Sequence, residues 1–359
     1  MRATPELNRD AIMVQFVGVE NAIKLISSIG VEPFLTGLAD YIDEDFRRWE
    51  QFEKSPRIAS HSRDGVIELM PASDGVTYSF KYVNGHPQNP LDGRQTVTAF
   101  GVLANVATGY PDFVSEMTLM TALRTAATSA VAARYLARPD AKVMAIIGQG
   151  AQSEFQALAF KAILGITRLQ VFDIDPAASE KFARNMAGYD LEITVADSAQ
   201  SAVIGADIVT TITADKKRSV ILSDNMVGSG MHINAVGGDC PGKTELHADI
   251  LKRGKVFVEL PEQTRIEGEI QQMPEDFPVT ELWRVITGLD MGRTGSSDIT
   301  IFDSVGFATE DFSVLRYLRD KVQETEHFID LDLLAEPTDP RDLFGLIGAR
   351  QQHPDRLSA

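Results

Sequence analysis

Residues 143–153, VMAIIGQGAQS, decide the fold. The apolar residues Val143 to Ile147 run straight into Gly148-Gln149-Gly150-Ala151-Gln152-Ser153, and a helix is expected from there to about Leu164. An unbroken apolar run of this length reads as a strand buried on both faces. The turn after it is a dinucleotide fingerprint with Ser153 at the third glycine position. Gly148 permits the tight turn and Gly150 lets the backbone approach a pyrophosphate. The free N–H groups of the helix start, at Ala151 and Gln152, then hold the anion. An ordinary strand–helix corner would use glycine too. The strand before and the helix after favour the nucleotide reading.

Outward from this turn, strands and helices alternate. RLQVFDID, LEITVAD, ADIVTTIT, GMHINAVGGD, KVFVEL and ITIFDSVG are the further strands, a pattern of parallel sheet covered by helices. Upstream, the Ala-rich segment 115–137 is predicted as one long helix, closed by Pro139-Asp140. Before it, from Arg57 to about Leu103, short β-rich runs (RIASHS, GVIELMP, VTYSFKYV, QTVTAFGVL) predict an antiparallel sheet, and 84–94 a polar loop. The first fifty residues read as helical, with Phe34, Leu35, Leu38, Tyr41 and Ile42 at helical spacing until Ser55-Pro56. Helix returns from Asp311 to about Glu324.

The fold class is therefore α/β: a Rossmann-type dinucleotide domain plus an α+β domain with antiparallel sheet. The expected division is 1–125 with 315–345 for substrate binding and dimerisation, 126–314 for the dinucleotide, and 346–359 as a loose tail.

Composition narrows the function. With 34 Lys and Arg against 51 Asp and Glu, the chain carries −17, which argues against a nucleic-acid partner. One cysteine excludes an intrachain disulfide framework and a multi-cysteine zinc site. The six histidines show no H-x-x-x-H pair, so no metal is expected. No 18-residue apolar stretch and no signal peptide at MRATPELNRD are seen, so the expectation is a cytoplasmic enzyme without membrane contact.

The second strand ends in Val171-Phe172-Asp173-Ile174-Asp175. A carboxylate at Asp173 would bond the adenosine ribose and repel a 2′-phosphate, favouring NAD over NADP. The other reading is that Asp173 caps the next helix, for which Asp175 before Pro176 is better placed.

GQGAQSEFQALAF, FKYVNGHP, TALRTAATS and NAVGGDCPGKTELHADIL together resemble the ornithine cyclodeaminase/mu-crystallin family, over about residues 16 to 345. GGDCPGKTEL is the most specific part. The resemblance implies NAD as cofactor, L-ornithine as a small-molecule substrate, proline and ammonia as products, and a homodimer joined through the N-terminal sheets. It also implies roles. Asp239 becomes the general base near the δ-amine. Arg57, Lys81 and Arg124 surround the substrate carboxylate, and Glu68 lies on the amine side. Asp239 and Lys81 are the catalytic candidates.

Local patterns bear on these roles. In the strand 76–83, Thr77, Ser79 and Lys81 share one face, and Val76, Tyr78, Phe80 and Tyr82 the other. Thr121, Arg124, Thr125 and Thr128 form a polar stripe on a helix of Ala and Leu. Asp239 ends an apolar strand, where open α/β sheets place ligands. Arg57, Lys81 and Arg124 also read as surface charges, Asp239 as a turn residue before Pro241, Glu68 as half of an ion pair, and Cys240 as a packed residue.

Further cofactor contacts are carried over from the resemblance. Thr125 is expected at the pyrophosphate, and Thr211 and Thr213 on the adenosine side. Ala235, Val236 and Gly237 are expected under the nicotinamide, and Ser304 near the carboxamide. Packing at strand ends is the other reading of all of these. Lysine cyclodeaminase, amino-acid dehydrogenase and ketimine reductase chemistry fit the same scaffold, and a non-catalytic dinucleotide-site binding protein is a further alternative. One methylene separates lysine from ornithine, worth about 1–3 kcal/mol in a pocket.

Overall fold

The computed structural model describes residues 13–214 and 218–347. The N-terminal decapeptide, the end of the 210–216 run and most of the 346–359 tail lie outside the described residues.

Two eight-stranded sheets carry the molecule. The first runs in the order Ile329–Leu331, Val14–Val17, Pro111–Glu116, Ala99–Asn105, Thr77–Gly85, Val66–Ser73 and Glu53–Lys54, with Ile58–His61 also paired to Val66–Ser73. Its pairs are antiparallel except Val14–Val17 with Pro111–Glu116. The helical reading of the first fifty residues is thus corrected: Val14–Val17 is a strand, and helices Val19–Ile29 and Val31–Arg47 follow it. Four residues are too few to show a period against the helical stretch behind them.

The second sheet is wholly parallel: Glu192–Val195, Arg168–Phe172, Val143–Ile147, Ile208–Thr211, His232–Ala235, Thr300–Asp303, Lys255–Val258 and Thr280–Glu281. Chain order reverses on either side of Val143–Ile147, which opens a crevice at the carboxyl ends of the central strands. A two-stranded parallel sheet, Arg218–Leu222 with Thr244–Leu246, stands apart.

The helix Thr118–Leu136 joins the two sheets. The Glu116 carboxylate accepts the N–H groups of Thr118 (3.0 Å) and Leu119 (3.2 Å), satisfying donors that the helix start leaves open. Its apolar residues, among them Leu123, Ala127 and Val131, belong to the same buried cluster as Phe34 and Leu38 of one unit and Ile146 and Phe302 of the other. The helix Ala308–Val322 lies across the inner face of the first sheet, against strands Val66–Ser73, Thr77–Gly85 and Ala99–Asn105. It is entered through Phe307, fully buried against the Trp49 ring at 5.3 Å. Among the described residues no single helix is long and apolar enough to cross a membrane.

The strand Thr77–Gly85 inverts the usual rule. Its polar set is inside, with Ser79 and Lys81 each 1 % exposed, while Tyr78 on the aromatic face is 40 % exposed. Asp311 of the helix Ala308–Val322 meets Lys81, while Ala308 and Phe312 of the same helix share a buried apolar cluster with Val83 further along this face.

Candidate active site

Three buried cations converge below the crevice. Arg57 precedes the strand Ile58–His61, Lys81 sits mid-strand, and Arg124 lies in the second turn of Thr118–Leu136. Lys81 Nζ pairs with Asp311 at 2.8 Å. Arg124 Nη1 donates to Glu310 at 2.5 Å and its Nε stands 3.0 Å from Asp311. Arg57 Nη1 donates to Glu68 at 3.1 Å, and its Nη2 to the carbonyls of Val305 (2.6 Å) and Gly306 (2.8 Å). Its Nε faces the Glu267 carboxylate at 3.1 Å.

Gly306 is the meeting point. Its φ is +72°, and an added Cβ would stand 2.6 Å from Arg124 Nη1. The Arg124 guanidinium therefore lies against this glycine, whose carbonyl holds Arg57. Asp311 joins Arg124 to Lys81 in the same way. Glu310 and Asp311 occupy the first turn of their helix, where the dipole favours negative charge.

Carboxyl groups outnumber the cations here. Burial pushes Glu310 up to about 8 against the pull of Arg124, with Glu259 and Asp311 adding to the rise. Burial and the Arg124 charge bring Lys81 down to about 8. A planar anion suits such a cluster, because guanidinium groups present paired donors.

Asp239 faces this cluster from the end of the strand His232–Ala235. The N–H groups of Val236 and Gly237 both donate to Thr211 O at 3.0 Å, turning the chain over the crevice. A Cβ at Gly237 would overlap the Glu245 carboxylate, and one at Gly238 would stand 2.8 Å from Glu269 Oε1. A side chain at either position would force the buried carboxylate facing it to move. Glu269 accepts the N–H groups of Glu245 (2.7 Å) and Leu246 (3.0 Å), and burial raises it well above the usual carboxyl range. Asp239 itself is 57 % exposed, with Lys243 Nζ at 3.3 Å. Its charge acts on both Arg57 and Glu267.

The glycine turn forms the other wall. Gly148 has φ +101°, and an added Cβ would meet Ile212 O at 2.9 Å. Open space lies where a Cβ of Gly150 would point. Ala151 is exposed, and Gln152 Oε1 is buried with no hydrogen-bond partner. Such a cradle fits a pyrophosphate-linked dinucleotide: Gly150 leaves room for the phosphates, and Gln152 Oε1, an acceptor, is open to a donor such as a ribose hydroxyl. Ser153 donates to Gly150 O at 3.1 Å and closes the turn. Asp173 accepts from Gln149 N at 2.6 Å and from Asp175 N at 2.9 Å, and Asp175 caps the next helix through Ala177 N at 3.0 Å. Asp173 thus braces the glycine turn rather than the helix.

The remaining predicted contacts divide. Thr125 is half-buried on the helix stripe, and Thr211 is buried with its hydroxyl beside the Glu245 carboxylate. Ala235 is the last residue of its strand. Thr213 and Ser304 turn their hydroxyls to buried carboxylates, Thr213 to Glu245 and Ser304 to Glu259 at 2.6 Å. Their backbone N–H groups are taken as well, Thr213 N by Glu245 at 2.8 Å and Ser304 N by Ala235 O at 3.0 Å, so each hydroxyl keeps only acceptor capacity toward a cofactor. Sequence reasoning missed Lys243, Glu267, Glu310, Asp311 and the part played by Gly306. Lys243 was within reach, since it follows Asp239 inside the GGDCPGKTEL segment. The three acids read as surface residues. Among the described residues no group of His, Cys, Asp and Glu could hold a metal ion.

A parallel sheet with a glycine-turn cradle, opening onto a buried cationic cluster, defines an NAD-binding enzyme. The chain belongs to the ornithine cyclodeaminase/mu-crystallin family, whose sequence model matches residues 19–326. It is 64 % identical to the ornithine cyclodeaminase of Brucella suis over 343 residues, covering 96 % of this chain and 95 % of that one. It is 64 % identical to the ornithine cyclodeaminase of Agrobacterium fabrum over 339 residues, 94 % and 96 % of the two chains. A solved lysine cyclodeaminase, described with L-lysine, L-ornithine and L-2,4-diaminobutyric acid, superposes with TM-score 0.86 at 31 % identity, over 92 % of this chain and 99 % of that one. An archaeal alanine dehydrogenase dimer with bound NAD superposes with TM-score 0.82 at 29 % identity, over 90 % and 100 %.

Proposed function

We propose that this enzyme converts L-ornithine to L-proline and ammonia with NAD. The observation that carries the reading is the buried clamp of Arg57, Lys81 and Arg124, joined through Gly306 and Asp311 and faced by Asp239. Bound NAD supplies a place for the Cα hydride to go and to return from. The residues of the chain do the rest. Lys81 and Arg124 keep donors for the substrate carboxylate, which fixes Cα. Asp239 takes the proton of the δ-ammonium, freeing its lone pair to close the ring on the oxidised Cα. Glu68, held by Arg57, faces the amine side. Asp173 and the Gly148–Gln152 turn hold the dinucleotide, with Thr125, Thr211, Ala235, Val236 and Gly237 along its length and Thr213 and Ser304 contributing hydroxyl oxygens as acceptors.

The test is the assay itself. With catalytic NAD, the purified protein should release ammonia and proline in equal amounts from ornithine without accumulating NADH. Stoichiometric NADH would sink the reading. The likeness to a lysine cyclodeaminase at TM-score 0.86 supports a second reading, and kcat/KM for ornithine against lysine separates the two.

A homodimer is part of this proposal. The outer face of the first sheet exposes Ile58 (63 %), Ile67 (42 %), Leu69 (42 %) and Phe100 (44 %), with Tyr82 stacked on Phe100 at 5.2 Å. An apolar face of this extent favours a partner. Leu69→Glu with Phe100→Glu should give a monomer by sedimentation, and a dimer unchanged in both would place the interface elsewhere. The division into 1–125 with 315–345 and 126–314 is likewise proposed. A cytoplasmic setting follows from the need for NAD, and a place in proline formation from the product.

A further inference from the structure

The reaction proposed above moves more protons than one base can hold. Ornithine enters with both amines protonated. The α-ammonium loses a proton when Cα loses its hydride, leaving a C=N bond. The δ-ammonium loses a second proton, and its lone pair forms the new N–C bond at Cα. A proton then passes from the ring nitrogen to the old α-nitrogen, which leaves as ammonia with its bonding pair. The hydride returns to Cα. Of the two protons first removed, one ends on the proline nitrogen and one on ammonia. Asp239 accounts for a single acceptor.

We propose that Glu267 is the second proton acceptor of this reaction. It rests on the ornithine reading and on the surroundings of Glu267. The side chain is 8 % exposed, and among the described residues its Oε2 has no aligned hydrogen-bond donor. The one cation against it is Arg57, paired at 3.1 Å but poorly aligned, so Arg57 Nε likewise lacks an aligned hydrogen bond. Glu68 and Asp239 are the other charged groups acting on it. Both of these have a donor already: Glu68 has Arg57 Nη1, and Asp239 has Lys243. Asp303 is engaged elsewhere, accepting the N–H groups of Glu269 (2.8 Å) and Ile270 (2.9 Å).

The three carboxylates around Arg57 suit a substrate that brings two ammonium groups. Burial pushes Glu267 up to about 7 against the pull of Arg57, so near neutrality it takes an ammonium proton and returns it to the departing ammonia. Protonating it leaves Arg57 held by Glu68 and two carbonyls.

The experiment compares two reactions of the holoenzyme. Glu267→Gln should lower kcat for ornithine by about 10²–10⁴-fold. It should spare reduction of added cyclic imine, Δ1-pyrroline-2-carboxylate, by NADH, since that step removes no ammonium proton. NADH binding, followed by fluorescence, should not change. The wild-type kcat should rise with pH toward 7, and the variant should lose that limb. Equal losses in both reactions would mean that Glu267 only positions Arg57, and no loss would mean that it is idle. Either result overturns the proposal. If the Gln variant does not bind NADH, Glu267→Asp is read instead: its acidic limb should shift, and an unmoved limb overturns the idea. Absence of ornithine turnover in the wild type would fault the parent reading and not this one.

Discussion

Asp239→Asn should abolish ornithine turnover, lowering kcat by about 10²–10⁴-fold, the usual weight of general-base catalysis. The side chain is 57 % exposed, so an isosteric amide disturbs no packing. Lys243 keeps its bond to Thr213 O at 2.9 Å, and Gly237 and Gly238 keep their seats over Glu245 and Glu269. Fold stability should stay within about 0.5 kcal/mol, as at other exposed sites. NADH titration should give the wild-type affinity. A tenfold loss there would show that Asp239 shapes the cofactor wall and is not the base.

Gly306→Ala should be nearly as damaging, for a different reason. Its φ of +72° costs an L-residue about 1–2 kcal/mol. The new methyl would also stand 2.6 Å from Arg124 Nη1. Arg124 cannot retreat, because Glu310 and Asp311 hold its Nη1 and Nε. The chain must move, taking with it the carbonyl that orients Arg57. The expected result is a loss of about 100-fold in kcat/KM, mostly through KM for ornithine, and a melting temperature several degrees lower. A displaced guanidinium of this kind costs on the order of 3 kcal/mol, since it leaves buried charge unpaired. An unchanged KM would remove Arg124 from the substrate clamp.

The glycine turn was legible because three signals agree over eleven residues: a buried strand, glycine spacing and a following helix. The stripe Thr121, Arg124, Thr125, Thr128 was legible too, and Arg124 and Thr128 are buried as a site-facing stripe should be. What escaped was of two kinds. Val14–Val17 and Pro111–Glu116 are short strands whose pairing is set by distant partners, and no local period announces them. The acids of the site escaped because Glu267, Glu310 and Asp311 lie in helices, where a carboxylate reads as solvated by default. Only the fold reveals that they answer buried arginines. The same cause hid the inward direction of Lys81, whose buried partner is the charged Asp311 of a distant helix.

Ser304 directly follows a strand of the dinucleotide sheet, and Asp311 already belongs to the helix under the first sheet. Eight consecutive residues thus carry the end of one unit and the counter-ions of the other. The side of the site that would grip a carboxylate has no play in it, and amino acids differ little at that end. The opposite side, built from the Asp239 loop, Glu68 and Glu267, hangs on separate segments. Changes there can lengthen, shorten or neutralise the accepted side chain without disturbing the rigid half. Diversification of substrate in this architecture is therefore expected to fall on one bank of the pocket only.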